Sequence, residues 1–151
     1  MIEFSGKYAM LSNFYDNQIT YNKITYKNNE AAFQAQKTDS DKIRKQFSRM
    51  FPSEAVRKGK TLQLRTDWND ELAEKIMYEI NKIKFSQEPF KTLLLETKDE
   101  VLENRNGHGD IVWGICDGKG ENKLGKILMK IRTELRDAGK QSDPGEKEEN
   151  Q

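Results

Sequence analysis

Asn28-Asn29-Glu30-Ala31-Ala32-Phe33-Gln34-Ala35-Gln36-Lys37 reads as the entry to a helix and its first turns. An asparagine ahead of the run offers a side-chain oxygen to the first unpaired amides, and neither proline nor glycine interrupts the run. The spacing predicts a helix from Glu30 to about Thr38. A turn of 3.6 residues gathers Ala31, Ala32 and Ala35 on one side, which invites close packing, and Glu30, Phe33, Gln34 and Lys37 on the other. Glu30 and Lys37 then stand roughly 10 Å apart along the axis with Gln34 between them. That polar side faces either a cleft or water. In a chain that is 34% charged, a solvated face is the commoner use of such a pair.

Upstream, Gln18 to Tyr21 and Ile24 to Tyr26 alternate polar with β-branched or aromatic residues around Asn22-Lys23, the pattern of a hairpin. Downstream, Asp39 or Ser40 caps a helix carrying Ile43 and Phe47, and Pro52 opens a short helix that ends near Gly59. From Asp67 onward Leu72, Ile76, Ile80 and Ile83 recur at helical spacing, widened by Met77. Pro89 opens another short helix with Phe90, Leu93 and Leu94, and Val101-Leu102 suits a short strand. Asn106-Gly107-His108-Gly109 is a loop, and Asn122 caps a last helix whose Leu124, Ile127, Leu128, Ile131 and Leu135 form one apolar seam. The expected fold is α+β and mainly helical, a single domain with a small N-terminal sheet or hairpin packed on a helical core. Its boundaries are expected at 1–137, and residues 138–151 are polar and glutamate-rich, with nothing to bury.

Composition narrows the function. With 151 residues the chain has room for one domain, and 26 Lys and Arg against 25 Asp and Glu create no global field for nucleic acid, so any such contact is local. Cys116 is the only cysteine and His108 the only histidine, which rules out an internal disulfide and a Cys/His zinc site. No metal and no cofactor are expected. Met1-Ile2-Glu3-Phe4-Ser5 has neither a basic start nor an apolar run, and no later stretch approaches membrane-spanning length, so the expected setting is the cytoplasm. Neither glycine-rich stretch fits the spacing of a Rossmann or P-loop site.

Trp113-Gly114-Ile115-Cys116-Asp117-Gly118-Lys119-Gly120-Glu121-Asn122 carries a different chemistry. Glycines there let backbone amides line a concave turn, and the helix beyond it has a partial positive end, a combination that favours phosphate. Trp113 is either a stacking face for a ring or a buried anchor for the loop, and Asn122 either a ligand contact or only a cap. Gly125, one turn inside the helix, costs about 1 kcal/mol relative to alanine unless a neighbouring helix or a ligand needs the space. Ser12-Asn13 reads equally as a self-stabilised turn. Arg65 and Asp67 read best as a structural ion pair beside Trp68.

Several motifs now stand in one order: Leu11-Ser12-Asn13-Phe14-Tyr15; Tyr26 to Lys37 with Glu-x-x-Phe-Gln-Ala-x-Lys; Leu64-Arg65-x-Asp67-Trp68; Lys84-Phe85 with Leu93-Leu94-x-x-Thr97; Glu103; Asp110-x-x-Trp113-Gly114; and Gly118-x-Gly120-x-Asn122-x-Leu124-Gly125-x-x-Leu128-Met129-x-x-Arg132. In this order and spacing, from about Phe4 to Leu135, the chain resembles the NADAR (YbiA-like) family. The resemblance implies hydrolysis of an N-glycosidic bond. Its implied substrate is ADP-ribose attached to guanine in DNA, removed in an antitoxin or counter-defence role, or alternatively a phosphorylated ribosylamino intermediate of riboflavin synthesis. It implies Lys37 as Schiff-base nucleophile and Glu30 as acid/base, with Asp110 and Glu103 as further acid/base candidates. It also implies ligand contacts from Asn13, Phe14, Gln34, Trp113, Gly114, Gly118, Lys119, Gly120, Asn122 and Arg132. Two non-catalytic readings stand beside it. One is a reader that binds ADP-ribose without turnover, and the other a nucleic-acid module using Lys42 to Lys45 and Arg57-Lys58-Gly59-Lys60.

Overall fold

A computed structural model describes residues 1–141. The fold is α+β and mainly helical, and the chain gathers into two compact units, Ser5–Lys84 and Met1–Phe4 with the chain from Phe85 onward.

In the Ser5–Lys84 unit, a 3-10 turn over Gly6–Leu11 leads to β2 (Ile19–Tyr21) and β3 (Ile24–Tyr26), the second and third strands of the chain. These pair antiparallel with Ile19 opposite Tyr26 and Tyr21 opposite Ile24. Asn22 and Lys23 both take positive φ, 49° and 71°, which matches the twist of a tight two-residue hairpin turn. Alternation does the rest: the isoleucines and tyrosines are buried, while Thr20 and Thr25 face out with hydroxyls 2.8 Å apart.

Four helices complete this unit: α1 (Asn29–Ala35), α2 (Asp41–Gln46), α3 (Pro52–Gly59) and α4 (Asp70–Phe85), whose last residue begins the other unit. Asn28 caps α1 by accepting from the Ala31 amide at 2.8 Å, and Ser40 caps α2 through the Ile43 amide. α4 begins three residues later than the sequence suggests because Asn69, not Asp67, accepts the Leu72 amide. α1 packs on the hairpin and on α3. Ala31, Ala32 and Ala35 are fully buried there, as their small size allows, but Phe33 and Gln34 are buried as well. The helix is therefore enclosed on nearly all sides, not on one.

α1 also ends sooner than expected. Its last residue is Ala35, and Gln36 and Lys37 form a turn beyond it. Gln36 turns its side-chain amide back onto the Ala32 carbonyl at 2.9 Å, and the Lys37 carbonyl accepts from the Arg65 amide at 2.8 Å. These bonds close the turn against the segment at Arg65 and stop the helix.

In the other unit, β1 (Ile2–Glu3) pairs in parallel with β4 (Leu102–Glu103), a pairing between residues remote in sequence. α5 (Phe90–Glu96) and β4 pack on α6 (Lys123–Gln141), burying Leu94, Leu102, Leu124, Leu128 and Ile131. α6 continues to Gln141, past the boundary expected at 137, and the rest of the expected tail lies outside the described residues. Gly125 is explained here: a Cβ would strike the Leu102 carbonyl and the Asn122 side chain. A strand backbone takes the space that the sequence leaves to a neighbouring helix or a ligand.

Candidate active site

Glu30 stands in the first turn of α1 and Lys37 in the turn after it, both half-buried. Gln34, 7% exposed, donates from Nε2 to Glu30 Oε1 at 2.8 Å, while its own Oε1 is buried without a hydrogen-bond partner. Lys37 is linked to them by its amide, which donates to Gln34 O at 3.2 Å, and by the charge of Glu30.

Lys37 is held below the usual lysine value. Burial is the main cause; the carboxylate of Glu30 works against it, and the ammonium of Lys60 adds to it. Its backbone is fixed from several directions. The Lys37 amide donates to Gln34 O, Arg65 N donates to Lys37 O, and the Arg65 guanidinium reaches Gln36 O at 3.4 Å. Arg65 is itself locked by Asp67, with two bonds of 2.6 and 3.0 Å. The expected structural ion pair is present, and it steadies the lysine's turn.

A second set of bonds fixes Glu30. Its amide donates to Asn13 O at 3.1 Å, and the Asn13 side chain joins a buried amide cluster with Asn29 and Asn81. Asn13 Oδ1 accepts from both neighbours, its Nδ2 points at Met77 Sδ, and the residue is 5% exposed. Where a ligand contact is expected, both ends of the Asn13 amide are engaged inside the fold. Phe14, the next residue, is 43% exposed. Beneath this turn Lys84 donates to Ser12 O at 2.9 Å with its ammonium 5.8 Å from the centre of the Tyr15 ring. Lys84 is 1% exposed, and burial lowers its pKa from 10.5 to about 7.

Sequence reasoning gives Asn81 no part and Lys84 only a place in a motif, without its buried role. The signal is there: counted from Met77 and Ile80, both fall on the apolar stripe of α4, where a polar side chain needs a buried partner. Gly59, in sequence only a helix end, is buried against Gln34, and any Cβ there would collide with the Gln34 amide.

The remaining expected residues lie in the other unit: Glu103 in β4, Arg132 in α6, and the others in the 104–122 loop between them. Asp110 Oδ1 accepts from the amides of Val112 and Trp113 at 3.1 and 2.9 Å, which gives the aspartate a turn-forming duty. Asn106 accepts from the amides of His108 and Asp110 and donates to Asp110 O. Glu103 pairs with Arg105 at 3.3 Å. Trp113 is half-buried with the Lys123 ammonium 6.0 Å from its ring centre, while Gly118, Lys119 and Gly120 are exposed and Gly114 is buried.

The phosphate cradle expected at the start of α6 needs correction. The amides of Glu121, Asn122, Lys123 and Leu124 donate to the carbonyls of Ile111, Gly114, Val112 and Trp113, so the helix start is filled by its own loop. Asn122, at φ 53°, accepts from the Asn104 amide and donates to Leu102 O, which commits its side chain to β4. Arg132 is 6% exposed and donates to Thr97 Oγ1 and Glu100 O. It ties down the turn after α5 through Nη1, while its Nε is buried without a hydrogen-bond partner. Among the described residues no group of His, Cys, Asp or Glu gathers as a metal site would require, and no helix is long and apolar enough to cross a membrane.

A half-buried lysine with a depressed pKa thus stands near a glutamate whose backbone and carboxylate are both held by hydrogen bonds, in a small α+β frame. Residues 3–136 match the NADAR domain, and this chain belongs to the NADAR domain family. It is similar to N-glycosidase YbiA of Shigella flexneri, 34% identical over 136 residues that cover 87% of this chain and 84% of the relative. It is also similar to riboflavin biosynthesis protein VVA0006 of Vibrio vulnificus, 32% identical over 86% of this chain, though the match spans only 36% of that protein. Among solved structures the solution structure of Escherichia coli YbiA superposes with a TM-score of 0.80 at 33% identity, covering 91% of this chain and 86% of the other. The fold is the YbiA fold.

Proposed function

We infer that this NADAR domain is an N-glycosidase and propose that it removes ADP-ribose from an exocyclic amine of guanine in DNA, with Lys37 as nucleophile and Glu30 as acid and base. The observation that carries the reading is Lys37 itself, desolvated beside a glutamate and held below its ordinary pKa. A lysine titrating near 10.4 is almost wholly protonated at neutral pH and cannot attack, so depression of its pKa is what nucleophilic catalysis requires.

In the first step the Glu30 carboxyl gives its proton to the ribose ring oxygen as that oxygen leaves C1, giving an open-chain iminium to the base nitrogen. Neutral Lys37 Nζ adds to C1 and passes a proton to the Glu30 carboxylate. Glu30 protonates the base amine, the C1–N bond to the base breaks, and a Lys37 iminium remains. Water adds to C1 as Glu30 accepts its proton, and the lysine departs to leave the free sugar aldehyde, which recloses. Gln34 keeps the carboxylate aimed through the 2.8 Å bond from Nε2.

The names of relatives such as the Vibrio riboflavin biosynthesis protein favour a second reading, in which the same chemistry opens a phosphorylated ribosylamino metabolite. Both substrates attach a ribose anomeric carbon to an exocyclic amine. The test is incubation with an oligonucleotide ADP-ribosylated on guanine and, in parallel, with a ribosylamino-pyrimidine phosphate, scored for released sugar against Lys37→Ala. Release of ADP-ribose that is absent in the variant supports the first reading; turnover of the metabolite alone supports the second; binding without turnover of either leaves a reader.

A further inference from the structure

The charge of this chain is balanced overall but not along its length. Between Ser5 and Lys84 there are 15 Lys and Arg against 10 Asp and Glu, and the excess is concentrated in residues 42–60, where seven cations face one acid. That acid, Glu54, is occupied in accepting the Phe51 amide at 3.1 Å at the start of α3. The acids flanking the segment are also engaged: Asp41 pairs with Arg44, and Asp39 and Asp67 pair with Arg65. Lys42, Lys45, Arg49, Arg57 and Lys60 are all exposed.

In the middle of this basic stretch stands Phe51, 65% exposed, the largest exposure of any big apolar side chain among the described residues. The Lys27 ammonium lies 5.8 Å from its ring centre. The ring stands largely in water among cations, and the bond that caps the helix start uses the backbone of Phe51 and not its ring.

The segment runs beside the reactive helix. Asn28, which caps α1, donates to Met50 O at 3.0 Å, and at the other end Gly59 presses on Gln34. α2 and α3 both pack on α1, and the charge of Lys60 is felt at Lys37. A chain of phosphates laid along 42–60 would therefore be led to the helix that carries Glu30.

We propose that the exposed face of residues 42–60, with Lys27 and Phe51, binds a single-stranded polynucleotide next to the reactive helix. Spaced cations track the phosphates and an exposed ring takes an unpaired base, the combination that single strands recognise and that a duplex, with its bases stacked inside, cannot satisfy. This deepens the reading of a nucleic-acid substrate and rests on it for its meaning, but the surface is testable without turnover.

The test is fluorescence anisotropy with unmodified 12-nucleotide DNA and RNA strands and a 12-base-pair duplex, at low and moderate salt. Native protein should bind the single strands better than the duplex. With about four phosphates engaged, affinity should fall about 50-fold between roughly 50 and 200 mM salt. Phe51→Ala should weaken single-strand binding about tenfold. Arg49→Gln with Arg57→Gln should weaken it and flatten the salt dependence, whereas Lys126→Gln with Lys140→Gln, equal in charge removed but in the other unit, should not. Absence of salt-dependent binding by the native protein, equal loss in both double variants, or preference for the duplex overturns the proposal. If the strands bind as described and no ADP-ribosyl bond is cleaved, the surface stands and the N-glycosidase reading on nucleic acid falls; cleavage without this binding has the opposite meaning.

Discussion

At the scale of single residues, the proposed mechanism makes activity turn on the protonation of Lys37. Burial and Lys60 push its pKa down while Glu30 pushes it up, so the acid limb of kcat/KM on a small N-glycoside should lie below the ordinary lysine value. Lys60→Gln removes one of the two downward influences. The Lys37 pKa then moves back toward 10.5, less neutral amine is present near neutrality, and the acid limb shifts to higher pH. A pH–rate profile checks this, and an unmoved limb would mean that the charge at 60 is not part of the tuning. Lys37→Ala should cost about three orders of magnitude or more in kcat, since a missing nucleophile is not replaced by its neighbours.

At the scale of elements, the site is a helix end held between two turns. Gly59 and Gly125 make a useful contrast. A methyl at 59 meets the far end of the Gln34 side chain, which can swing away, but only by giving up its bond to Glu30. Gly59→Ala should therefore lower kcat about tenfold or more while KM for a small substrate and the melting temperature change little. A methyl at 125 meets the Leu102 carbonyl, which is strand backbone and cannot yield. Gly125→Ala should lose about 1–3 kcal/mol of stability in thermal or denaturant unfolding.

The same elements show what is readable in the sequence. Hairpin, caps and the α6 seam are legible because each is written in a few adjacent residues: a two-residue turn, an Asn or Ser before the run, a repeat of Leu and Ile. The end of α1 is not, because part of the bonding that stops it comes from Arg65, far along the chain. The parallel β1–β4 pair is not, because two-residue strands carry almost no pattern and their partners are remote in sequence. In the site, Glu30, Gln34 and Lys37 are legible as a motif. The duties of Asn13, Asn122 and Arg132 are not, since a polar residue in a motif looks the same whether it meets a ligand or a buried carbonyl. Nor do glycines in a loop reveal that the amides beyond them are already paired to the 111–114 carbonyls.

At the scale of the whole molecule, buried titratable groups set how stability follows pH. Lys84 has a folded pKa of about 7 against 10.5 unfolded, so between those values the unfolded chain binds more protons and stability rises with pH. Below about 7 the cost of the buried charge is fully present. Lys37 adds to the same slope. Tyr21, whose pKa is raised by burial and by its 2.6 Å bond to Glu79, acts in the opposite direction above its ordinary value of 10.0: there the unfolded tyrosine loses its proton while the folded one keeps it, so its contribution makes stability fall as pH rises. Lys84→Met should flatten the rise in unfolding free energy between pH 7 and 10 and leave the Tyr21 contribution above it unchanged. Denaturant titrations across that range check the difference between the two proteins.

The central claim is that Lys37 joins covalently to the sugar. Borohydride added during turnover, followed by peptide mass spectrometry, tests it most directly: the expected result is a reduced ribosyl adduct on Lys37 that disappears in Lys37→Ala. Full turnover with no adduct at Lys37, or an adduct on Lys84 instead, would contradict it.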